Sequence, residues 1–354
     1  MRTTYGPYSI RNAVGKRRAG VCLAARNEMP VMSPAVDMVL LSLNRLDDTL
    51  AAVDSVLGQE IDSLALWIVD QGSNPGQVEA LRGVASENPR VQLVELTDNV
   101  GVAAGRNIGI NAGNAEFVVC LDNDAVFDSP DTLRRAVDTL ASDDRLGAVA
   151  FRALDFSTKE LDLGSWAYPR AHMKTTEPVE VSRFVGVGHG LRRAAFRDAG
   201  GYDEQLFFCE EELDLSYRMI DRGYRIVYDP SVVVLHKSSP EERIEWDRGR
   251  VYHQVRNAVL VQHRHHRRPM ATALLAVGWL LRALYNRQGR QAIRGLVDAF
   301  RRLRDEPDTE GLGEDARRYV WQHDTRLRGS LRSRLRDDVL AAFPTRDQRP
   351  ASSS

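Results

Sequence analysis

The chain has 354 residues, of which 43% are hydrophobic and 27% charged, and its formal net charge is −1 at pH 7. This length and balance fit a globular protein with one large domain and an appendage, or with two domains. A net charge near zero gives no general attraction to nucleic acid, so a nucleic-acid partner is not expected.

Positive charge is concentrated toward the two ends of the chain. Residues 1–30 hold six Lys or Arg against one acid, and residues 241–305 hold fourteen Arg against six acids. We expect residues 1–35 to form a basic N-terminal arm and residues 341–354 to be a disordered tail. The apolar stretch near residue 275 is interrupted by Arg282 before it reaches the roughly 20 residues that a membrane span needs, so no span is predicted.

The three cysteines, Cys22, Cys120 and Cys209, are far apart and form no CxxC pair. An odd number at such spacing is untypical of a disulfide framework. A reducing, cytoplasmic setting is therefore predicted.

From Val36 to Phe151, segments with strand and helix periodicity alternate. Strands are predicted at VDMVLLSL, LALWIVD, VQLVEL, EFVVCLDND and GAVAF, and helices at LDDTLAAVDSVLGQ, QVEALRGVASE, AAGRNIGINAG and after Pro130. Helices of this length between strands indicate βαβ units. The fold class is therefore α/β, with a mostly parallel sheet and helices on both faces.

The pattern changes after residue 152. RFVGVGHGLRR is predicted as a strand, EEELDLSYRMIDRGY as a helix, and RIVYD and SVVVLH as two short strands. Residues 241–340 are predicted as a C-terminal helical region. Within it, RHHRR (264–268) is expected to form a solvated basic face.

Polar residues follow three strands of the predicted sheet. Ser42, Asn44 and Arg45 follow the first, Asp70 ends the second, and Asp122–Asn123–Asp124 follows the fourth. Ligands of open α/β sheets bind outside the carboxyl ends of the strands, so three such endings indicate a shared crevice. Taken alone, each ending could be a turn.

The small residues of DNVGVAAGRNIGI (98–110) allow a helix to approach this crevice closely, with Arg106 and Asn107 available to a ligand. The chain has neither a GxGxxG fingerprint nor a GxxxxGK[ST] loop. A Rossmann dehydrogenase and a P-loop NTPase are both disfavoured.

Six segments then stand in the order and spacing of the family 2 glycosyltransferases: LSLNR, IVDQGS, NVGVAAGRNIGI, LDNDAVF, GGYDEQLFFCEEELDLSYRMIDRGY and VLH. Over about residues 36–240 the chain resembles this family, and within it the rhamnosyltransferase-like branch. The resemblance implies the GT-A fold, with a Rossmann-like sheet. It also implies a catalytic domain with a nucleotide-sugar-binding half (36–125) and an acceptor half (126–240).

The resemblance assigns roles to particular residues. Asp70 would hold the nucleobase of the donor, Asp122 and Asp124 would form the DxD metal motif, and His236 would be a third metal ligand. Glu212 would be the catalytic base, although the family usually has Asp there. The other substrate-binding candidates are Ser42, Asn44, Arg45, Gly101, Arg106, Asn107, Asn123, Trp166, His189 and Glu211, besides Asp70 and Asp122.

The implied function is that of a metal-dependent, inverting glycosyltransferase with Mn²⁺ or Mg²⁺ as cofactor. A cation neutralises charge on the departing diphosphate, and a carboxylate takes the proton of the attacking hydroxyl. The expected donor is a UDP- or dTDP-sugar, and the acceptor is a glycan, a lipid-linked molecule or a small molecule. The sequence leaves open whether the protein forms a homodimer.

Simpler structural roles exist for several of these residues. Glu210–Glu212 could be the acidic N-terminus of a helix, which the helix dipole favours. His236 could be a hydrogen-bonded strand-end histidine and Asp70 a turn former. Trp166 and His189 fit either the core or an acceptor site.

Two other functions are compatible with parts of the sequence. A sugar nucleotidyltransferase also uses a sheet and paired acids, but it should carry a Gly-rich phosphate loop after its first strand, and LSLNRLDDTL has none. A catalytically silent module could bind a glycan or nucleic acid through the basic C-terminal region. Donor hydrolysis with Mn²⁺ separates an enzyme from such a binder.

The segment PMATALLAVGWLLRALYNRQGRQAIRGLVDAFRRLRD combines apolar residues, among them Leu296, Val297 and Phe300, with repeated arginines. Such helices either pack on the catalytic domain or a second subunit, or lie in a membrane interface. The packing role is slightly favoured. The expectation is thus a cytoplasmic protein with, at most, salt-sensitive peripheral membrane contact.

Overall fold

The computed structural model describes residues 36–61, 63–237, 240–306 and 310–329. The predicted basic arm (1–35), the end of the helical region (330–340) and the predicted disordered tail (341–354) lie outside the described residues. Hydrophobic residues at strand and helix spacing produce an α/β architecture, as expected from the sequence.

Within these ranges the chain forms a nine-stranded sheet. The strands are β1 Val36–Ser42, β2 Leu64–Gln71, β3 Val91–Leu96, β4 Phe117–Leu121, β5 Ala125–Phe127, β6 Leu146–Asp155, β7 Val179–Val181, β8 Gly188–Arg192 and β9 Arg225–His236. The α-helices are α1 Leu46–Leu57, α2 Pro75–Glu87, α3 Val102–Ala112, α4 Thr132–Ala141, α5 Arg193–Asp198, α6 Glu211–Asp221, α7 Pro240–His266, α8 Pro269–Tyr285, α9 Gly289–Asp305 and α10 Glu314–His323.

The sheet order is β3-β2-β1-β4-β8-β6-β9-β5, and β7 also pairs with β9. The first half is parallel, because β1 pairs with β2 and β4, and β2 with β3, in that sense. In the second half β8 runs antiparallel to β4 and β6. The sheet is therefore mixed, and the predicted parallel character applies to its first half.

The predicted strands RIVYD and SVVVLH are one continuous strand, β9, so that prediction was wrong. Pro230 lies inside it, where the pairing with β6 shifts register and passes from Phe151↔Asp229 to Arg152↔Val233. A bulge leaves its extra residues without ladder partners, so a proline is tolerated there.

Side chains alternate between the two faces of the sheet and bury two hydrophobic clusters. On β1, Val39 faces one cluster while Met38 and Leu40 face the other. Helices α1, α2 and α4 contribute to the second cluster, and α3, α5 and α6 to the first. Helices thus cover both faces, as predicted.

The C-terminal helices belong to the first cluster. Val259 and Leu260 of α7, Ala299 of α9 and Val320 of α10 are buried in it together with sheet residues. The core therefore continues across residue 240, and the division into domains there stays a prediction. No helix in the described ranges combines the length and hydrophobicity needed to cross a bilayer.

Residues 264–268 (RHHRR) do not form the solvated basic face that the sequence predicts. Arg264 contacts both Asp203 and Glu306. His265 is buried, with its Nε2 2.8 Å from Oδ1 of Asp214. The orientation of α7 about its axis directs Arg264 toward Asp203 and Glu306, and His265 toward Asp214.

Candidate active site

The polar strand ends that the sequence singled out lie side by side. Ser42 pairs with Asp70 across β1 and β2, and Leu40 pairs with Leu121 just before the Asp122–Asp124 segment. Since these strands are parallel, their carboxyl ends open on one edge of the sheet. The predicted meeting of these strand ends at one edge of the sheet is therefore confirmed, and their use as a ligand site stays a prediction.

Asp70 is fully buried and holds the loop that follows β2. Its carboxylate accepts hydrogen bonds from Ser42 Oγ at 3.2 Å, Ser73 Oγ at 2.5 Å and Ser73 N at 3.0 Å. Gln77 Nε2 donates in turn to Ser42 Oγ at 2.6 Å. Asp70 and Ser42 thus shape the crevice from beneath, and neither presents a free polar atom to it.

The turn after β1 holds two residues in the left-handed region, Asn44 at φ 53° and Arg45 at φ 60°. Asn44 Oδ1 accepts from the backbone and side chain of Asn74, at 3.1 and 3.0 Å. Arg45 Nη1 donates to Asp124 Oδ2 at 2.9 Å, and its Nε to Asp48 Oδ2 at 3.1 Å. Left-handed backbone is costly outside glycine, so other contacts must hold this turn in place. The turn brings Arg45 to Asp124, the second acid of the DxD motif.

Asp124, His236 and Asp162 form a line of charge at the end of β9. His236 Nδ1 lies 2.7 Å from Asp162 Oδ2, and His236 Nε2 lies 3.6 Å from Asp124 Oδ1. Gly164 N and Ser165 Oγ donate to Asp162, at 2.8 and 2.6 Å, and hold it in place.

The pKa values of this line follow from its geometry. Burial alone would lower the pKa of His236, but its two carboxylate neighbours raise it to about 9. Burial acts to raise the pKa of Asp162, yet hydrogen bonds from His236 and Ser165 bring it to about 2. In Asp124 the interactions with His236 and Arg45 likewise outweigh burial and lower the pKa.

This arrangement offers two ligands to a divalent cation. The Asp124 carboxylate and the Nε2 of His236 face each other, and Asp162 orients the imidazole as the carboxylate partners of metal-bound histidines do. Among the described residues, no three His, Cys, Asp or Glu side chains are gathered into a ready ligand set. Asp122 Oδ1 accepts from Arg106 and its side chain is 36% exposed. Its role as a metal ligand stays a prediction, and a cation here would take further ligands from a substrate.

Arg106 contacts both Asp122, an acid of the predicted DxD motif, and Glu212, the predicted base. Its buried guanidinium donates to Glu212 Oε1 at 2.5 Å, Asp122 Oδ1 at 2.9 Å and the Gly186 carbonyl at 3.0 Å. A side chain at Gly186 would put Cβ 2.5 Å from Glu212 Oε1, so glycine is needed for this contact. Arg106 was expected to meet substrate directly, but its donors are committed to the protein.

Burial changes the pKa values of the acids around Arg106. It raises the pKa of Asp122 to about 6, aided by the charge of Asp124 and opposed by that of Arg106. It raises the pKa of Glu211 well above the usual value, and the charge of Glu212 acts in the same direction. In the described part of the chain, Glu211 Oε2 has no hydrogen-bond partner.

Residues 204–210, here called the α6 loop, deliver Glu211 and Glu212 to the site. The loop contains no glycine, yet three of its residues have left-handed φ values: Phe207 at 61°, Cys209 at 70° and Glu210 at 70°. The Phe207 carbonyl accepts from Val102 N at 2.7 Å. A Cβ at Gly101 would lie 2.6 Å from Phe207, so Gly101 permits this close approach and contacts the loop.

The α6 loop is also fixed by α7. Asn257 Nδ2 lies 2.8 Å from the Leu206 carbonyl, 2.8 Å from that of Phe208 and 2.7 Å from that of Cys209. Arg256 Nη2 donates to the Leu206 carbonyl at 2.8 Å. The C-terminal helical region therefore supports the segment that carries the predicted base.

Two candidate substrate residues, His189 and Asn107, have polar atoms that are hydrogen-bonded within the protein. His189 is fully buried, with its ring nitrogens 3.0 Å from the Val185 carbonyl and 2.7 Å from the Tyr202 hydroxyl. Asn107 exchanges hydrogen bonds with the Tyr202 backbone at 2.9 Å. These contacts tie α3 and β8 to the loop after α5, and the predicted substrate roles of His189 and Asn107 stay predictions.

Trp166 and Asn123 are further substrate candidates with contacts inside the protein. The Trp166 ring contacts Tyr168 and Tyr228 edge-on at 5.0 and 5.5 Å, and its Nε1 has no hydrogen-bond partner among the described residues. Asn123 Nδ2 donates to Thr49 Oγ1 at 3.1 Å. Their substrate roles stay predictions.

Several site residues were not found from the sequence: Asp162, Gln77, Gly186, Arg256 and Asn257. Each acts through a partner far along the chain. The pattern VRN in α7 and the glycine within RFVGVGHG were visible, but neither indicates its contact.

The family model for Glycosyl transferase family 2 matches residues 38–200. The poly-beta-1,6-N-acetyl-D-glucosamine synthase of Staphylococcus aureus (strain MSSA476) is 24% identical over 227 residues, covering 60% of this chain and 54% of that protein. The pre-mycofactocin glycosyltransferase of Mycobacterium tuberculosis (strain CDC 1551 / Oshkosh) is 27% identical over 313 residues, covering 81% and 62%. The chain thus spans little more than half the length of these curated relatives.

Solved structures show the same fold. The mannosyltransferase PcManGT from Pyrobaculum calidifontis, in complex with GDP-Man and Mn²⁺, superposes with a TM-score of 0.53 at 20% identity and covers 88% of this chain and 86% of its own. GalNAc-T7 with UDP, GalNAc and Mn²⁺ gives 0.54 at 16% identity, with 66% and 48% covered. The predicted GT-A fold is confirmed, and the rhamnosyltransferase-like branch stays a prediction.

Proposed function

We propose that this chain, which carries a family 2 glycosyltransferase domain, transfers a sugar from a nucleotide-diphosphate sugar to an acceptor hydroxyl. The observation that carries the proposal is the Arg106 contact. One buried guanidinium binds the predicted base Glu212 at 2.5 Å and the DxD acid Asp122 at 2.9 Å. The groups for proton removal and for donor binding therefore belong to a single site.

Glu212 acts as the general base in a single displacement. Its carboxylate takes the proton of the acceptor hydroxyl while the acceptor oxygen bonds to the anomeric carbon and the bond to the diphosphate breaks. Attack from the face opposite the leaving group inverts the configuration at that carbon. Arg106 holds the longer Glu side chain at one oxygen, which restricts the reach that the extra methylene would otherwise allow.

Asp124 and His236 would hold the divalent cation, Mn²⁺ or Mg²⁺, together with oxygens of the donor diphosphate. The ion would neutralise the charge that develops on the leaving group. Asp162 keeps Nδ1 of His236 engaged, so that Nε2 stays directed toward Asp124. Two of the three predicted metal ligands fit this role directly, and Asp122 is assigned to the donor side.

The donor lies across the carboxyl ends of β1 and β2. The turn shaped by Asp70, with Asn44 and Ser73 on it, would receive the nucleobase, so Asp70 acts through that turn. A UDP- or dTDP-sugar is the proposed donor. The acceptor would be a glycan, a lipid-linked molecule or a small molecule, and the enzyme would work in the reducing cytoplasm, where the buried free thiols of Cys120 and Cys209 persist.

The first test is donor binding and turnover in Asp124→Ala. The cation should bind weakly alone and tightly with donor, because Asp124 and His236 leave most ligand positions to phosphate. In wild type, Mn²⁺ and the cognate donor together should raise the melting temperature more than either alone. Asp124→Ala should lose this joint shift and its donor hydrolysis, while the exposed Asp128→Ala should keep both.

Full activity of wild type in EDTA, or of Asp124→Ala with Mn²⁺, would contradict the proposed metal site. The products also separate the alternatives. A glycosyltransferase releases a nucleoside diphosphate, a sugar nucleotidyltransferase releases pyrophosphate or a nucleoside triphosphate, and a binding module shows a thermal shift without any product.

A further inference from the structure

Helix α8 carries its large apolar residues on the outside. Its exposed apolar side chains recur every three or four residues along one face: Met270, Leu274, Val277, Leu281, Leu284 and Tyr285. Leu274 and Leu281 are 65% and 56% exposed. The buried positions of the helix are small, at Thr272, Ala276 and Ala283. Trp279 and Leu280 pack inward against a small buried cluster, but most of the large apolar side chains lie outward, whereas the apolar stripe of a surface helix usually faces the core.

Helix α9 has a similar arrangement. Its buried residues are Gly289, Ala292, Gly295 and Ala299. A Cβ at Gly295 would lie 2.6 Å from the Tyr252 carbonyl oxygen, so the small residues allow α9 to approach α7 closely. Val297 and Phe300 point outward and are 44% and 50% exposed, as is Ile293 at 51%. The packing role expected for this segment therefore uses its small residues together with a few partly buried large ones, such as Leu296 and Leu303, and leaves most of its large residues exposed in the described part of the chain.

Positive charge accompanies these apolar side chains. α9 contains five Arg and two Asp. One of the acids, Asp298, accepts from the Tyr252 hydroxyl at 2.7 Å and from Arg302 Nε at 3.2 Å. Arg301 and Arg304 border a groove lined by Ile293, Leu296, Val297 and Phe300. We call the exposed apolar side chains of α8 and α9, with the exposed arginines of α9, the α8–α9 face.

We propose that the α8–α9 face docks onto the surface of an anionic lipid bilayer. Such a surface supplies acyl chains for the apolar side chains and negative headgroups for the arginines. A second copy of the chain would bring like charges together across a two-fold interface. Residues 1–30, with six Lys or Arg against one acid, carry the same sign of charge as the face.

The helices would lie along the bilayer and not cross it. The 17 residues of α8 give a length of about 25 Å, which is short of the hydrocarbon thickness, and none of the described helices is suited to span a membrane. The docking is independent of glycosyl transfer, so it can hold or fail whatever the reaction proves to be.

The test is co-sedimentation of the full chain with vesicles of phosphatidylcholine, with or without phosphatidylglycerol. At low salt we expect binding to the anionic vesicles to exceed binding to neutral ones by at least about tenfold, since each arginine near the surface contributes about fivefold. High salt should remove most of this preference by screening the charges.

Variants identify the surface that binds. The double variant Leu274→Glu/Leu281→Glu should bind anionic vesicles at least about tenfold more weakly, because two apolar side chains leave the interface and two like charges enter it. Leu163→Glu is the matched control, since Leu163 is 66% exposed elsewhere on the molecule. Arg301→Gln/Arg304→Gln should reduce the preference for anionic over neutral vesicles.

Equal binding of wild type and the double leucine variant would overturn the proposal, as would absence of binding to anionic vesicles at low salt. A dimer in solution that the double variant dissociates, without vesicle binding by wild type, would assign the face to a second copy. Donor hydrolysis measured on the same samples reports separately on the proposed reaction.

Discussion

At the scale of single residues, the site is organised by charges that satisfy one another. Arg106 is buried and binds two carboxylates and a carbonyl, which together offset the cost of removing a guanidinium from water. Its contact with both Asp122 and Glu212 makes it a positioning residue. Asp162 has the same kind of role toward His236, since it fixes the ring from the side away from Asp124.

Glu212→Gln tests the base. The amide keeps the shape and one acceptor oxygen near Arg106 but cannot take a proton, so transfer should fall by about 10²–10⁴-fold while donor binding survives. Turnover and donor-induced thermal shift give the two measurements. If Glu211→Gln lost transfer and Glu212→Gln did not, the base would be assigned to the wrong acid. Retention of configuration in the product, read by NMR, would contradict the single displacement.

Glu211 predicts a particular pH dependence of stability. Its pKa is raised well above the usual value, by burial first and then by the charge of Glu212. A carboxyl whose pKa rises on folding holds its proton more tightly in the folded state. Its contribution to stability is therefore greatest below the unfolded pKa of about 4.3 and declines as the pH rises toward the folded pKa.

Glutamine stays neutral throughout this range. The stability of Glu211→Gln relative to wild type should therefore increase between about pH 5 and about pH 8, as measured by urea unfolding at each pH. The exposed Glu60→Gln is the matched control. A difference between Glu211→Gln and wild type that does not change with pH would show that the carboxyl is not held protonated by the fold.

At the scale of elements, the α6 loop needs support from outside itself. Three left-handed non-glycine residues each cost about 1–2 kcal/mol, so the loop would not keep this form alone. Asn257 and Arg256 of α7 and the N-terminus of α3 bind its carbonyls. Helices that lie after residue 240 thereby determine where Glu212 stands.

Asn257→Ala should lower kcat more than it raises KM for the donor. The variant leaves the Phe208 and Cys209 carbonyls without their side-chain donor, at about 1–3 kcal/mol for each buried group, while Arg256 still donates to the Leu206 carbonyl. The base would therefore lose its fixed position while the turn after β2 is untouched. Steady-state kinetics with varied donor give the split. Asn286→Ala is the control, because among the described residues the Asn286 side chain donates to the Arg282 carbonyl at the end of its own helix. Equal loss in both variants would indicate general destabilisation.

At the scale of the whole molecule, the C-terminal helices share one buried cluster with the sheet and form a second, small cluster of their own at Val251, Val255, Ala283 and Ala292. Val39, Val118 and Ile226 of the sheet lie in the same buried cluster as Val259 of α7 and Ala299 of α9. Part of the chain after residue 240 therefore shares a hydrophobic cluster with the sheet, and the domain boundary there stays a prediction. Loss of the C-terminal helices would expose the residues of this shared cluster.

We therefore expect β1 and α7 to unfold together. Amide hydrogen exchange, followed by mass spectrometry of peptides from each, should give the same opening free energy, because neither can open without exposing the shared cluster. Peptides from the outward-facing turns of α8 should exchange faster and serve as the internal reference. Exchange in α7 that matches α8 and is much faster than in β1 would identify an independent helical domain.

The sequence by itself determined the alternation of strands and helices, the meeting of three polar strand ends, and the resemblance to the glycosyltransferases. These features are local: the burial pattern of a strand or helix is written in consecutive residues, and parallel strands must end on one edge. The same locality explains the error at β9, where a proline implies a break unless a bulge in the partner register accommodates it.

Only the tertiary structure decided which residues touch. Arg106 could not be paired with Glu212, 106 residues away, nor Asp162 with His236, 74 residues away, because periodicity records which face of an element is buried and not what lies against it. The burial of His189 and the outward face of α8 have the same origin. Both depend on how helices and strands pack against one another. The local sequence around a side chain does not indicate which residue of another element will contact it.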